Sequence, residues 1–400
     1  MASQQPPRRL RSLPLALAVV ALGGVLASCS TNRGDQQLRL GAGVALTGNG
    51  GLLGQDARTG LDLARQQFAG KQPGLELQLE DTGSDEAGAT VAFRRLINAK
   101  PVAIVGPSFS QQGFAVMPMA DRAGIPVVGI STTAPGIPDI GRFVTRVASP
   151  VTVIAPQSLA KALQLNPRIQ RVAVFFAQDD VFCTSESAIF QKAIRSKGLD
   201  LVSVQRTSVA DTDFNIAISN TLRTRPDLIV ISALVADGGN LVRQLRELGY
   251  KGPIVSGNGM NTPNIYPVCQ KHCNGLLITQ AYNPNLQSPI NRALVALFRR
   301  GRPADAVPPQ VTAQAFTAYQ VVQQALAKVK ATQPKGTTLT RLQPSELRQK
   351  LLTTLVAGTY QTPLGEIRFT PEGEVIQKDF SVARVSMNPD GRSGRFELLP

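Results

Sequence analysis

The sequence predicts an α/β protein of two lobes around a central cleft, and three observations carry that expectation. Apolar runs of strand length alternate with amphipathic stretches at helical spacing from Leu38 onward. This alternation runs once to about residue 149 and begins again at Arg171. Beyond residue 281 the chain turns helical and then ends in β-type alternation, so the backbone must cross between the halves more than once.

In the first series, strands are expected at residues 38–46, 75–80, 102–105 and 126–130. Helices are expected at 55–68, 86–99 and 111–123, where Leu61, Ala64 and Phe68 share one face. The second series places strands at 171–177, 201–205, 228–232 and 253–255, with helices at 185–197, 213–223 and 238–248. A further strand at 275–281 leads to helices at 289–298, 310–330 and 344–355. Strands at 365–369 and 380–385 follow, with a turn at Pro371-Glu-Gly373. Short loops between strands and helices imply parallel sheets covered on both faces. The expected division is lobe 1 at 38–149 plus about 282–377, lobe 2 at 150–281 plus about 378–390, and a C-terminal tail at 391–400.

Arg8, Arg9 and Arg11 precede an almost wholly apolar run at 13–27, and no acid occurs before Asp35. A basic start, a short apolar stretch and a small-residue exit describe a secretory signal peptide over residues 1–28. The run is shorter than the roughly 20 apolar residues of a spanning helix. Its exit, Leu26-Ala27-Ser28-Cys29, resembles a bacterial lipobox. That resemblance implies a lipid on Cys29, a linker at 29–37 and a location on the outer side of the cytoplasmic membrane. An ordinary cleaved leader with an incidental cysteine would show the same pattern.

Charge and composition narrow the function. The chain carries 42 Lys and Arg against 27 Asp and Glu, and loss of residues 1–28 would leave a formal +12. The basic residues are scattered, aromatics make up only 5% and Trp is absent, so no base-stacking platform is expected and nucleic acid is not an expected partner. His272 is the sole histidine, too few ligands for a zinc site. No nucleophile–base pair stands out, so the chain is not expected to be an enzyme or to carry a cofactor. Cys269 and Cys273 are spaced for a local disulfide in an oxidising compartment.

In open α/β sheets, ligands sit beyond the carboxyl ends of strands, near helix N-termini. The strand at 102–105 ends in Gly106-Pro-Ser-Phe-Ser110, which makes Ser108 or Ser110 a candidate N-cap and carboxylate donor. Ser131, Thr132 and Thr133 follow the next strand at the same edge. Two ordinary caps facing solvent would look the same. Thr47-Gly-Asn-Gly-Gly51 is glycine-rich, yet fits neither the dinucleotide nor the Walker pattern.

Several segments resemble the branched-chain amino-acid receptor family of type I periplasmic binding proteins. They are Val44-Ala-Leu-Thr-Gly48, Glu80-Asp-Thr-Gly-Ser-Asp85, Val105-Gly-Pro-Ser-Phe-Ser110 and the run from Gly124 to Pro135. Pro226-Asp-Leu-Ile-Val230 and Thr362-Pro-Leu-Gly-Glu-Ile-Arg-Phe369 match later landmarks, so the likeness spans residues 38–390 in order. It implies two Rossmann-like lobes joined by several hinge crossings, and a monomer that captures a small solute, a neutral or branched-chain amino acid, for an ABC permease. A sensor of the same fold for an amide, urea-like solute or small carboxylate is the alternative, and an exported α/β enzyme is a more remote one. The resemblance gives Ser110, Ser131 (through its backbone) and Thr133 the ligand carboxylate. It places Leu53 where the family has a bulky aromatic and Phe182 where it has a tyrosine. The acid that pairs with a ligand ammonium falls at Gly259, which has no carboxylate, leaving Asp179, Asp180 or Asp237 as substitutes.

Overall fold

A parallel strand pair needs a crossover connection, and this chain supplies a helix after most of its strands. The computed structural model describes residues 1–2 and 37–400. The leader from residue 3 and Cys29 lie outside the described residues. Asp35–Pro400 forms one compact unit with its own cores, so this body is self-sufficient as a folding unit.

Lobe 1 opens with β1 (Leu38–Val44), α1 (Gly51–Gln67), β2 (Leu75–Asp81), α2 (Glu86–Asn98) and β3 (Ala103–Val105). It continues through α3 (Ser110–Arg122), β4 (Val127–Gly129) and β5 (Val144–Arg146). Lobe 2 follows with α4 (Val151–Leu165), β6 (Arg171–Ala177), α5 (Val181–Ser196), β7 (Asp200–Thr207), α6 (Asn215–Arg223) and β8 (Leu228–Ser232). Then come α7 (Val235–Glu247), β9 (Ile254–Ser256), the short α8 (Tyr266–Cys269) and β10 (Leu277–Gln280). The chain returns to lobe 1 as α9 (Pro289–Arg299), α10 (Gln310–Ala331), α11 (Pro344–Val356), β11 (Tyr360–Thr362), β12 (Gly365–Phe369) and β13 (Val375–Gln377). It ends in lobe 2 as β14 (Ser381–Met387) and β15 (Gly394–Leu399).

The lobe 1 sheet has the order β2-β1-β3-β4-β5, parallel throughout. The lobe 2 sheet runs β15-β14-β10-β9-β8-β6-β7. Its five strands β6–β10 are parallel and repeat the 2-1-3-4-5 order of lobe 1, with β14 and β15 added antiparallel at one edge. One hydrophobic core runs through both lobes, and a separate cluster fills the far face of each sheet. α1 packs along α10, which is buried over most of its length.

The structure corrects the expected elements in several places, and adds α8, β11 and β13 where none was expected. β5 and α4 occupy a stretch that the sequence reading left without an element. Residues 394–399 form β15, paired from Val382–Leu399 to Met387–Gly394, where a tail was expected. α1, α5 and α7 each begin three or four residues earlier than expected; Asp180, not Ser185, caps α5 by accepting from the Cys183 N–H at 2.8 Å. Cys269 and Cys273 are paired, with Cα atoms 5.4 Å apart.

Three crossings join the lobes, near Ser149, Ala281 and Gln377. The buried Gln377 amide touches all of them. Its Nε2 donates to Ala281 O at 2.6 Å, Leu364 O at 3.0 Å and Asp379 O at 3.1 Å, while its Oε1 accepts from Ser149 Oγ at 2.9 Å. Gln377→Ala would strand buried acceptors and should lower unfolding stability by about 1–3 kcal/mol. Urea denaturation checks this; an unchanged midpoint would mean that the hinge does not depend on the amide.

Candidate functional site

Reversal of strand order opens a crevice beyond the carboxyl ends of the strands. In lobe 1 that crevice lies between β1 and β3, and in lobe 2 between the equivalent β6 and β8. The loops at these reversals, with those after β4 and β9, line a small, partly open cavity between the lobes. Leu53 comes from the segment after β1, Ser108 to Ser110 from that after β3, and Ser131 and Thr133 from that after β4. Phe182, Leu234, Asn258 and Gly259 enter from lobe 2, and Val311 from the start of α10.

The polar side of this cavity is built by lobe 1. Ser110 is the first residue of α3, not its cap; its Oγ accepts from the Ala134 N–H at 3.1 Å, leaving its own proton to donate. Ser108 Oγ accepts from Ala45 N–H at 3.2 Å, and Ser131 Oγ donates to Ser108 O. Thr133 Oγ1 is buried and has no hydrogen-bond partner among the described residues. Free N–H groups at the start of α3 add a positive helix end. Together these groups suit a carboxylate.

The loop that carries Ser131 and Thr133 is fixed from below. Arg146 at the end of β5 is only 1% exposed and is the largest fully buried side chain. Its Nη1 donates to Thr132 O at 2.8 Å and Ala134 O at 2.6 Å, while its Nε bonds Glu374 Oε1 at 2.8 Å. Gly106 sits at φ +108°, and a Cβ there would lie 2.0 Å from Gly43 O, so only glycine allows β3 to turn into α3 at this point.

A family model for periplasmic binding proteins matches residues 37–392. The chain belongs to that family, on its branched-chain amino-acid receptor branch. Members of this family are extracytoplasmic solute-binding components of ABC transporters and are not enzymes. The Leu/Ile/Val-binding protein homolog 3 of Brucella melitensis is 21% identical to this chain, covering 90% of it and 98% of the relative. Among solved structures, the leucine binding protein LivK from Thermotoga maritima is similar with a TM-score of 0.78 at 24% identity, covering 90% of this chain and 97% of its own. A solute binding protein from R. palustris in complex with 4-hydroxybenzoate has a TM-score of 0.77 at 18% identity, over 90% of this chain and 96% of its own.

Of the residues singled out by sequence, Leu53, Ser110, Ser131, Thr133, Phe182 and Gly259 all line the cavity. Asp237 does not. It lies in the first turn of α7, where Oδ1 accepts from the Leu234 N–H at 3.0 Å and burial pushes its carboxyl up to about 7. Asp179 bonds Ser208 and the Val209 N–H, and Asp180 caps α5. Among the described residues, no acidic or basic side chain lines the cavity. Gly259 has no room for one: a Cβ would sit 2.4 Å from Ala233 O and 2.9 Å from the Phe182 ring. The apolar wall of Phe109, Leu234 and Val311, together with Asn258, escaped the sequence reading; a strand-end position was the available signal for the first two.

Lobe-to-lobe hydrogen bonds flank the cavity. Gln310, at the start of α10, donates from Nε2 to Asn258 Oδ1 at 2.8 Å and accepts from Asn261 Nδ2 at 2.9 Å. Asp56 of α1 accepts from Thr262 Oγ1 at 2.7 Å and Asn264 Nδ2 at 3.3 Å. Burial raises the Asp56 carboxyl to about 6, and the two hydrogen bonds offset part of that rise. Separation of the lobes would return it toward its ordinary value. A carboxyl raised in the closed form favours closure below its open-form value, and that advantage is lost as pH rises through about 6. Affinity for a ligand that requires closure should therefore weaken roughly tenfold between pH 5 and 7. Calorimetry at the two values tests this, and Asp56→Asn should remove most of the dependence. An equal dependence in that variant would place the titrating group elsewhere.

Proposed function

We propose that this chain is a lipid-anchored receptor that captures a small monocarboxylate with a compact apolar body and delivers it to an ABC permease. The observation that carries the ligand class is the cavity's uneven chemistry. Hydroxyls and a helix start gather on one side, apolar side chains make up most of the rest, and among the described residues no acid lines it to face an ammonium group. A buried ammonium without a partner costs several kcal/mol. The carboxylate binds the α3 start, Ser110 and Thr133, and the apolar body rests against Phe109, Phe182 and Leu234. Lobe 1 receives the solute first, and hinge closure adds the lobe 2 wall. The closed monomer is the form presented to the permease.

A second reading, a neutral or branched-chain amino acid, is favoured by the curated relatives named for leucine, isoleucine and valine. Leucine and 4-methylpentanoate, which differ by the ammonium group, separate the two. Calorimetry should show 4-methylpentanoate or 4-hydroxybenzoate bound at least tenfold more tightly than leucine. Preference for leucine would replace the monocarboxylate reading with the amino-acid one.

The carboxylate site has its own test. Removing a hydroxyl that bonds a charged group costs about 1.5–3 kcal/mol, or about ten- to a hundredfold in affinity. Ser110→Ala and Thr133→Ala should each show such a loss. Ser288→Ala, which removes the cap of α9 that accepts from Asn291 N–H at 3.2 Å, should leave affinity alone. Equal affinities in all three variants and wild type would rule the site out. The anchor is tested in cells: Cys29→Ala should leave the membrane fraction or fail to be processed, because stable attachment needs its lipid chains.

A further inference from the structure

The amino ends of the lobe 1 strands form the edge opposite the cavity, and its exposed cations outnumber its exposed acids. Leu38 N–H donates to Gly74 O at 3.0 Å, Val102 N–H to Arg39 O at 2.8 Å, and Arg39 Nη1 to Ala99 O at 2.9 Å. These bonds bring the starts of β1, β2 and β3 together. The end of α10 and the start of α11 are welded to the same edge. Gln323 Nε2 donates to Pro73 O at 2.8 Å and Arg348 Nε to Pro101 O at 3.0 Å, while Leu38, Gln72, Thr338 and Thr340 line one shallow depression.

Arg39, Lys71, Lys100, Lys328, Lys335 and Arg341 are all exposed on these segments. The exposed acids in the same segments are Glu76 and Glu346, and Glu346 is paired with Lys350 at 3.2 Å. Six cations against two acids leave this edge a formal +4, out of +15 for the whole chain. It lies far from the ligand: Val311 at one end of α10 borders the cavity, and this 22-residue helix runs about 33 Å to its basic end.

We propose that this basic edge of lobe 1 docks on the anionic headgroups of a lipid bilayer. The described body begins at Gln37, beside Gly74 on this same edge. If Cys29 carries the lipid, the proposed linker reaches at most about 28 Å. That is short enough to hold the edge near the bilayer, where each cation gains attraction within a Debye length. One lipid signal plus a polybasic surface is an effective anchoring combination. The position of the edge relative to the membrane rests on the lipoprotein reading; the charge of the edge does not.

The test uses the body of residues 35–400, which lacks Cys29, so its outcome is independent of lipidation. Sedimentation with phosphatidylglycerol-containing vesicles should show binding that falls with salt, and vesicles of phosphatidylcholine alone should show little. Changing Lys71, Lys335 and Arg341 to Glu should reduce association at least about tenfold. Changing Arg195, Arg206 and Arg223 to Glu, exposed on lobe 2, makes the same net charge change and should reduce it less than threefold. Unchanged melting temperatures show that both variants fold. Equal losses in the two variants, equal binding to both vesicle types, or no binding at low salt would each overturn the proposal.

Discussion

A parallel sheet with strand order 2-1-3-4-5 leaves a gap where successive crossovers leave in opposite directions, and two such gaps face each other in this chain. The positions of the cavity residues follow largely from that constraint. Residues after β1 and β3 border one gap, and residues after β6 and β8 border the other. The loops are short, so each wall is fixed by the strand before it and the helix after it. The lobes are chemically unlike although their topology repeats. Lobe 1 gives hydroxyls at the start of α3, while lobe 2 gives Phe182, Leu234 and a glycine that its neighbours leave no space to replace.

The sequence carried most of the fold because buried parallel strands read as apolar runs. β6, β8 and β12 fall on the residues expected, and β1–β4, β7, β9, β10 and β14 differ at their ends by a few residues, while β5, β11, β13 and β15 had no expected counterpart. β5 has three residues, one of them an arginine whose burial depends on Glu374, more than two hundred positions later. Such a partner is invisible to a local pattern. α4 opens Val151-Thr-Val-Ile154 and contains Pro156, a composition that favours strand or irregular chain. Packing of Ile154, Leu159 and Ala162 against lobe 2 overrides that preference. β15 carries Arg395 and Glu397, the charges of an edge strand, and so resembles a polar tail.

The site divided along the same line. Ser110, Ser131 and Thr133 could be found from the strand-end rule because hydroxyls at a helix start have a chemical reason to be there. The apolar wall was less legible: Phe109 and Leu234 offered only their strand-end positions, and nothing local distinguishes Val311 from core. Asp237 was a reasonable substitute for a missing acid, but its position in the first turn of α7 gave it a nearer partner, the Leu234 N–H. A carboxylate within reach of an unpaired backbone donor satisfies that donor before it reaches across a cleft.

Opening and closing place different demands on the charged and neutral groups around the hinge. Arg146 and Glu374 both belong to lobe 1, so their pair can persist through a movement of lobe 2 and keep the Ser131–Thr133 loop in place. The side chains that tie the crossings, Gln377 and Ser149, are neutral, as are Gln310, Asn258 and Asn261 at the cavity edge. Neutral amides can exchange these bonds for water without stranding a charge, which keeps the energy difference between open and closed forms small. Asp56 departs from that pattern by bringing a carboxylate into the contact between lobes. Its burial penalises closure, and its two donors offset only part of the penalty. Favourable contacts made by a bound solute must supply the remainder, so the empty receptor gains less from closing than the loaded one.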